Sequence, residues 1–205
     1  MRTKCFFLAL LTTAAANAGT ILYNNIGDPY TTNSQLTETL AQSFSTGSSA
    51  LSLDDLQLVL DIKAPDTGSF TIGLYSDNST KPGTQLLAIA TVSDTTLTST
   101  ATTYDFPVAD YALAANTRYW IVLGLTNGEV EGSWESSNPQ AGDTGVSGQY
   151  TDYGGSIYIV GPTTSPAFSM TIDAVSQTTT PEPSSALLLG AGLAAGAAFL
   201  RKARR

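Results

Sequence analysis

Between residues 55 and 62 the chain alternates without a break. Leu56, Leu58, Leu60 and Ile62 hold one set of positions, and Asp55, Gln57, Val59 and Asp61 hold the other. Two is the side-chain period of a strand, not of a helix. The stretch therefore predicts a strand with one buried face and one largely wet face. Residues 64–68, Ala-Pro-Asp-Thr-Gly, supply a turn, because Pro fixes φ and Gly takes the left-handed position. Phe70, Ile72 and Leu74 then resume the alternation, so the two runs read as a hairpin. Nothing between the two ends of the chain shows sustained helical spacing with caps.

The same reading extends in both directions. Short strands are expected at Thr20 to Asn24, at Leu40 to Thr46 with Phe44 facing in, at Leu86 to Val92 and at Thr102 to Val108. Tyr119 to Leu125 is apolar on both sets of positions, which marks a central strand covered on two sides. A short strand around Trp134, another at Ser156 to Val160, and the alternation Phe168, Met170, Ile172, Ala174 complete the set. Polar loops fill 76–83 and 137–148. Nine or ten strands at this spacing predict an all-β fold, an antiparallel β-sandwich of jelly-roll type. The expected division is residues 1–18 as an export signal, 19–175 as the sandwich, 176–183 as a Thr/Pro tether and 184–205 as a membrane tail.

The two ends are addresses. Met1 to Ala18 has a charged start (Arg2, Lys4), a short apolar centre, and Ala16-Asn17-Ala18 as a small-x-small cleavage site before Gly19. This predicts passage through the secretory translocon and cutting by signal peptidase. At the other end, Ser184 to Leu200 is seventeen residues without a charge. As a helix it would be about 25 Å long, slightly short of a hydrocarbon core of about 30 Å. Its apolarity on all sides suits lipid better than an amphipathic surface position. Arg201, Lys202, Arg204 and Arg205 follow as a cytoplasmic stop.

Removing both ends changes the charge. The whole chain is at −8, but six of its nine basic residues lie in the targeting ends, and residues 19–180 hold sixteen Asp or Glu against three Lys or Arg, a formal −13. Such a surface does not attract nucleic acid. The only cysteine, Cys5, falls in the signal, so the exported body has neither disulfide nor thiol.

Catalytic chemistry has little to work with. The chain has no histidine, which removes Ser-His-Asp and Cys-His machinery and the commonest transition-metal ligand. No cofactor is expected. On a regular strand Glu129, Glu131 and Glu135 share one face, and a glycosidase needs two carboxylates at a fixed spacing across a cleft; an acidic hairpin rim is the ordinary explanation. Asp77, Asn78 and Ser79, and also Asp143 and Asp152, offer oxygens to calcium without matching an EF-hand, and Asx-turn chemistry explains Asp77 and Asn78 better; no metal is expected. Trp134, Tyr150 and Tyr153 are the candidate glycan contacts, since exposed rings stack on sugar faces; Tyr158 flanks the same Gly-rich loops.

Pro181, Glu182 and Pro183, the apolar run Ala186 to Leu200 and the basic terminus together resemble the PEP-CTERM sorting signal of Gram-negative bacteria. The resemblance implies processing near that tripeptide by an exosortase-type membrane peptidase, after transient anchoring in the inner membrane. The body is similar to the choice-of-anchor R group. Ala41-Gln42-Ser43-Phe44, Leu74-Tyr75-Ser76-Asp77 leading to Lys81-Pro82-Gly83, Asn116-Thr117-Arg118-Tyr119-Trp120, and Phe168 with Ile172 carry that likeness. It implies a surface β-sandwich and no catalytic residues. The expected function is that of an exported, non-enzymatic cell-surface or matrix protein, structural or adhesive in an exopolysaccharide or biofilm setting. A carbohydrate-binding module using Trp134 and nearby Tyr is the alternative, and a carboxylate glycoside hydrolase a distant third.

Overall fold

The computed structural model describes residues 19–28, 30–35, 39–62, 67–127, 131–136, 145–159 and 167–177. These form two antiparallel sheets packed face to face, a β-sandwich. The first sheet is built on β4 (Leu51–Ile62). On one side β4 pairs with β7 (Thr102–Leu113), and on the other with β13 (Met170–Ser176), which in turn holds β1 (Thr20–Asn24). The far end of β4 pairs with β9 (Glu131–Ser136), which carries β2 (Tyr30–Gln35) and β12 (Ala167–Phe168). The second sheet runs β11 (Ser156–Ile159), β10 (Tyr150–Tyr153), β3 (Leu40–Ser45), β8 (Arg118–Asn127), β5 (Ser69–Asp77), β6 (Pro82–Ser93). A single 3-10 turn, Asp94–Thr96, is the only helical element among the described residues.

The core lies between the sheets. Leu56, Leu58, Leu60 and Ile62 of β4 meet Phe70, Ile72 and Leu74 of β5, with Phe44, Ile121, Leu123, Phe168, Met170 and Ile172 around them. Leu53 is buried too, although its parity is opposite to that of Leu56. The pairing explains this. Register slips between Leu53 and Asp55 against β7, and at the same place against β13. The extra residue of this bulge, Asp54, is exposed and flips the parity of the strand.

Two expectations fail here. The runs 55–62 and 70–74 do not form a hairpin. β4 belongs to the first sheet and β5 to the second, where β5 pairs with β6 and β8. Both apolar faces are thus buried against each other across the sandwich, which satisfies the same alternation without hydrogen bonds between the two strands. The wet face of β4 is also shorter than expected: Val59 is 1% exposed and Asp61 5%. At that end the chain after the 3-10 turn joins the strand, with Ile62 N donating to Thr98 O at 2.9 Å.

Other expectations hold with wider bounds. The Thr20 to Asn24 strand is β1, and Phe44 is fully buried. The strands expected at 86–92 and 102–108 grow into the twelve-residue β6 and β7. Tyr119 to Leu125 lies within β8, hydrogen-bonded to β3 on one side and β5 on the other. Tyr153 to Ser156 turns on Gly154 and Gly155, both at positive φ, which fits a tight hairpin between β10 and β11. Buried Asn25 bridges the break between β12 and β13, donating to Phe168 O at 2.7 Å and accepting from Met170 N at 2.8 Å.

Among the described residues no helix is long and apolar enough to cross a membrane. The export signal, residues 1–18, and the tail, 184–205, lie outside the described residues.

Candidate functional site

The outer face of the second sheet holds the densest chemistry in the body. Successive residues of β8 point to opposite faces. Tyr119, Ile121 and Leu123 face the core, while Trp120 and Val122 emerge on the outside, yet Trp120 is 0% exposed. With Ala41 of β3 they form a second apolar cluster, flanked by Tyr75, Tyr150 and Ile157.

A cation sits at its edge. Arg118 is 9% exposed, and a buried charge needs compensation. One Nη donates to Ser147 O at 2.8 Å and Gly148 O at 2.7 Å. The other lies 3.6 Å from the Asp77 carboxylate, and the guanidinium stands 4.9 Å from the centre of the Tyr150 ring. The second Asp77 oxygen accepts from Trp120 Nε1 at 2.8 Å. Asp77 is therefore used on both oxygens. The Asx turn expected at Asp77 is replaced by a backbone turn, with Asn78 N donating to Lys81 O at 2.8 Å, because both Asp77 oxygens go to Trp120 and Arg118.

Segment 145–149 closes over this cluster. Gly145 has φ +101°, and a Cβ there would collide with Thr46 O; only glycine fits. Ser43 Oγ donates to Gln149 Oε1 at 2.7 Å and accepts from Tyr150 N at 2.7 Å, while Gln149 Nε2 donates to Ser45 Oγ at 3.1 Å. Thr151 Oγ1 donates to Gln42 Oε1 at 2.8 Å. These bonds fasten β10 to β3, the Ser43–Gln149–Ser45 set on the outer face and the Thr151–Gln42 pair on the core side. On the outer face, Asp152 Oδ1 accepts from Gly155 N at 2.7 Å. Burial pushes the Asp152 carboxyl above the usual range, against that hydrogen bond and the nearby Lys81 charge.

The outer face of the first sheet is different in kind. Asp55 stands opposite Asp173, with Asp54 and Asp105 near. Burial raises both Asp55 and Asp173. The Leu56 N–H partly offsets this at Asp55, and the like charges of Asp105, Asp173 and Asp54 add to it; Asp54 adds to it at Asp173. Gln57 Nε2 relieves one of the set, donating to Asp105 Oδ1 at 2.7 Å. No group of three or more His, Cys, Asp or Glu among the described residues is arranged to hold a metal.

The candidate glycan residues lie on two strands that belong to different sheets. Trp134 lies in β9 of the first sheet, opposite Asn33. Tyr150 lies in β10 of the second, half-buried under Arg118. Tyr153 faces the core, with its ring edge-on to Phe168 and Tyr158, each at 5.8 Å between centroids. Glu131 and Glu135 sit on β9 opposite Ile62 and Phe168, in a ladder that runs through Gly132 without a slip. Gly19 is described, one exposed residue before β1. Ala16, Ala18, Glu129, Pro181, Glu182, Pro183, Arg201, Lys202, Arg204 and Arg205 lie outside the described residues.

The Arg118–Asp77–Trp120 cluster had a signal in the sequence. Arg118 is one of three cations in an acidic body and directly precedes a doubly apolar strand, so it had to be paired on folding.

No curated protein matches the chain. Among solved structures, the body is similar to the crystal structure of the cysteine protease and lectin-like domains of a surface-layer-associated protein of Clostridium difficile. The identity is 12%, the TM-score 0.47, and the match covers 68% of this chain. The chain spans about a third of that protein, 32% of its length. Residues 179–205 match the PEP-CTERM protein-sorting motif. The chain thus carries, directly after its last strand, an exosortase sorting signal that directs it out of the cytoplasm by way of the membrane.

Proposed function

We propose that the protein is a non-enzymatic, structural or adhesive component of a bacterial cell surface or matrix, displayed or released after its tail is cut. The observation that carries this reading is the sorting motif at 179–205, which follows β13 with a link of a few residues. The resemblance of the body to the choice-of-anchor group supports it. So does the engagement of Arg118, Asp77 and Trp120 with one another, which makes that cluster a fastening of the fold. The exported species begins at Gly19 and ends near Pro181 to Pro183, at a formal charge near −13. Its setting is an exopolysaccharide or biofilm layer of a Gram-negative cell, with the inner membrane as a transient stop.

Intact mass of the protein recovered outside the cell tests this. Loss of both ends in cells with an active exosortase, and retention of the tail without it, is the expected result. A secreted mass that keeps both ends overturns the proposal. Turnover of a polysaccharide by the purified body would overturn its non-enzymatic part.

A further inference from the structure

Both ends of the described chain leave the body at one pole. Thr20 stands opposite Ala174 and Ser176 opposite Leu51. Gln177 Nε2 donates to Leu51 O at 3.0 Å, fixing the last described residue to the start of β4. The connections 46–50 and 114–117 meet at the same pole, where Asn116 N donates to Gly47 O at 2.8 Å and Thr46 Oγ1 to Ala114 O at 2.6 Å. An open cleft of about 290 Å³ lies there, lined among others by Thr20, Ile21, Ser48, Ser49, Leu51 and Ser176, and among the described residues none that lines it is charged. Ile21 is 59% exposed.

This absence of charge stands against a body at −13. Along the lining strands the first carboxylates are Asp54 and Asp173, three residues from Leu51 and Ser176, which is roughly 10 Å at about 3.3 Å per residue. Asp77, at the same end of the second sheet, is paired with Arg118. Six residues, 178–183, separate Gln177 from Ser184, a reach of at most about 25 Å when extended. The body is thus held within roughly its own length of whatever holds the tail.

We infer that this pole is the surface the anchored body turns to the bilayer, with the lipid headgroup layer as its partner. The inference rests on the reading that 184–200 is inserted in the membrane. A body lying on its side would press Asp54, Asp55 and Asp105 of the first sheet against the headgroups. Anionic lipid repels them, and any carboxylate loses hydration on contact. Standing on the pole, the body presents hydroxyls, and Ile21 enters the interface as an apolar contact.

The test uses the full chain with Cys5→Ser, in vesicles of phosphatidylethanolamine and phosphatidylglycerol that carry a headgroup-level nitroxide quencher. A fluorophore is placed on Ser48→Cys, on Thr102→Cys, or on Ala198→Cys. Thr102 stands opposite Leu60, toward the other end of β4. The expected result is a membrane-embedded label at 198, with the label at 48 quenched several-fold more than the label at 102. Ile21→Glu should then bring the label at 48 toward the value at 102. If the label at 198 is not embedded, the insertion reading itself fails. If it is embedded while 48 and 102 are quenched equally, only the orientation fails. Protection of the label at 48 solely in membranes containing the sorting peptidase would also overturn the assignment, making the pole a protein contact.

Discussion

The two outer faces of the sandwich are made by the same alternation and end in opposite states. On the second sheet, Trp120, Val122 and Ala41 form a second apolar layer, with Arg118 and Asp77 satisfying each other at its edge. On the first sheet the corresponding positions carry Asp54, Asp55, Asp105 and Asp173; Asp55 and Asp173 lose hydration by burial and are further crowded by the like charges around them. One face adds stability through burial and paired charge. The other gives up some stability and contributes net charge, which favours solubility. With a single cysteine in the chain, the body has no disulfide of its own and relies on the first for stability.

The largest expected effect is on the covered face. Trp120→Ala removes a fully buried ring and its bond to Asp77, and should cost about 3–5 kcal/mol in urea unfolding. Gln57→Ala on the acidic face breaks one exposed bond to Asp105 and should cost no more than about 1.5 kcal/mol. Equal losses would erase the contrast between the faces. Next, Arg118→Met strands Asp77 and releases the carbonyls of Ser147 and Gly148, for a loss of about 3 kcal/mol. Arg118→Lys should recover only part of this, because an ammonium lacks the planar fork; full recovery would mean that charge alone matters.

The acidic face should respond with the opposite sign. Asp173→Asn removes one member of the repelling set and should raise Tm by about 1–2 °C. A fall in Tm would show that the carboxylate is used in a way its neighbours do not suggest. The smallest effect is in pH. Asp55, Asp152 and Asp173 have native pKa values raised mainly by burial, so the folded state holds these protons more tightly than the unfolded chain. Their contribution to stability therefore increases as pH falls through the raised native values. It is complete below the unfolded value of about 3.9 and is lost again as pH rises. The triple Asn variant should show a flatter rise in stability on mild acidification than the parent. An identical pH profile would remove these groups from the account.

Much of the fold was legible because burial writes itself into the sequence at period two. Leu56, Leu58, Leu60 and Ile62 announced their face, and Tyr119 to Leu125 announced a strand with no wet side. The hairpin error between β4 and β5 has a physical cause. Alternation states that a face is buried, not what buries it, and the turn expected at 64–68, most of which lies outside the described residues, does not say whether the next strand joins the same sheet or the opposite one. The Leu53 to Leu56 parity change was equally hidden, since a bulge at Asp54 exists only where partner strands define a register. The sheet membership of the candidate aromatics was hidden in the same way. Trp134 and Tyr150 are near in sequence, but β9 and β10 lie in different sheets.

The sequence alone determined destination and chemistry withheld. Charge, apolar length and a tripeptide act locally, so the sorting signal at 179–205 needs no partner from elsewhere in the chain to be recognised. The absence of histidine removes whole classes of catalysis whatever the fold. Tertiary structure alone decided where the polar groups are used. Asp77 became the partner of Trp120 and Arg118 only when β5 and β8 were placed side by side. The two ends of the described body came to share one pole, with no charge among its described lining residues, only because β1 pairs with β13. Such pairings join residues far apart in sequence, and their free energy comes from burial and hydrogen bonds that do not exist until both strands are in place.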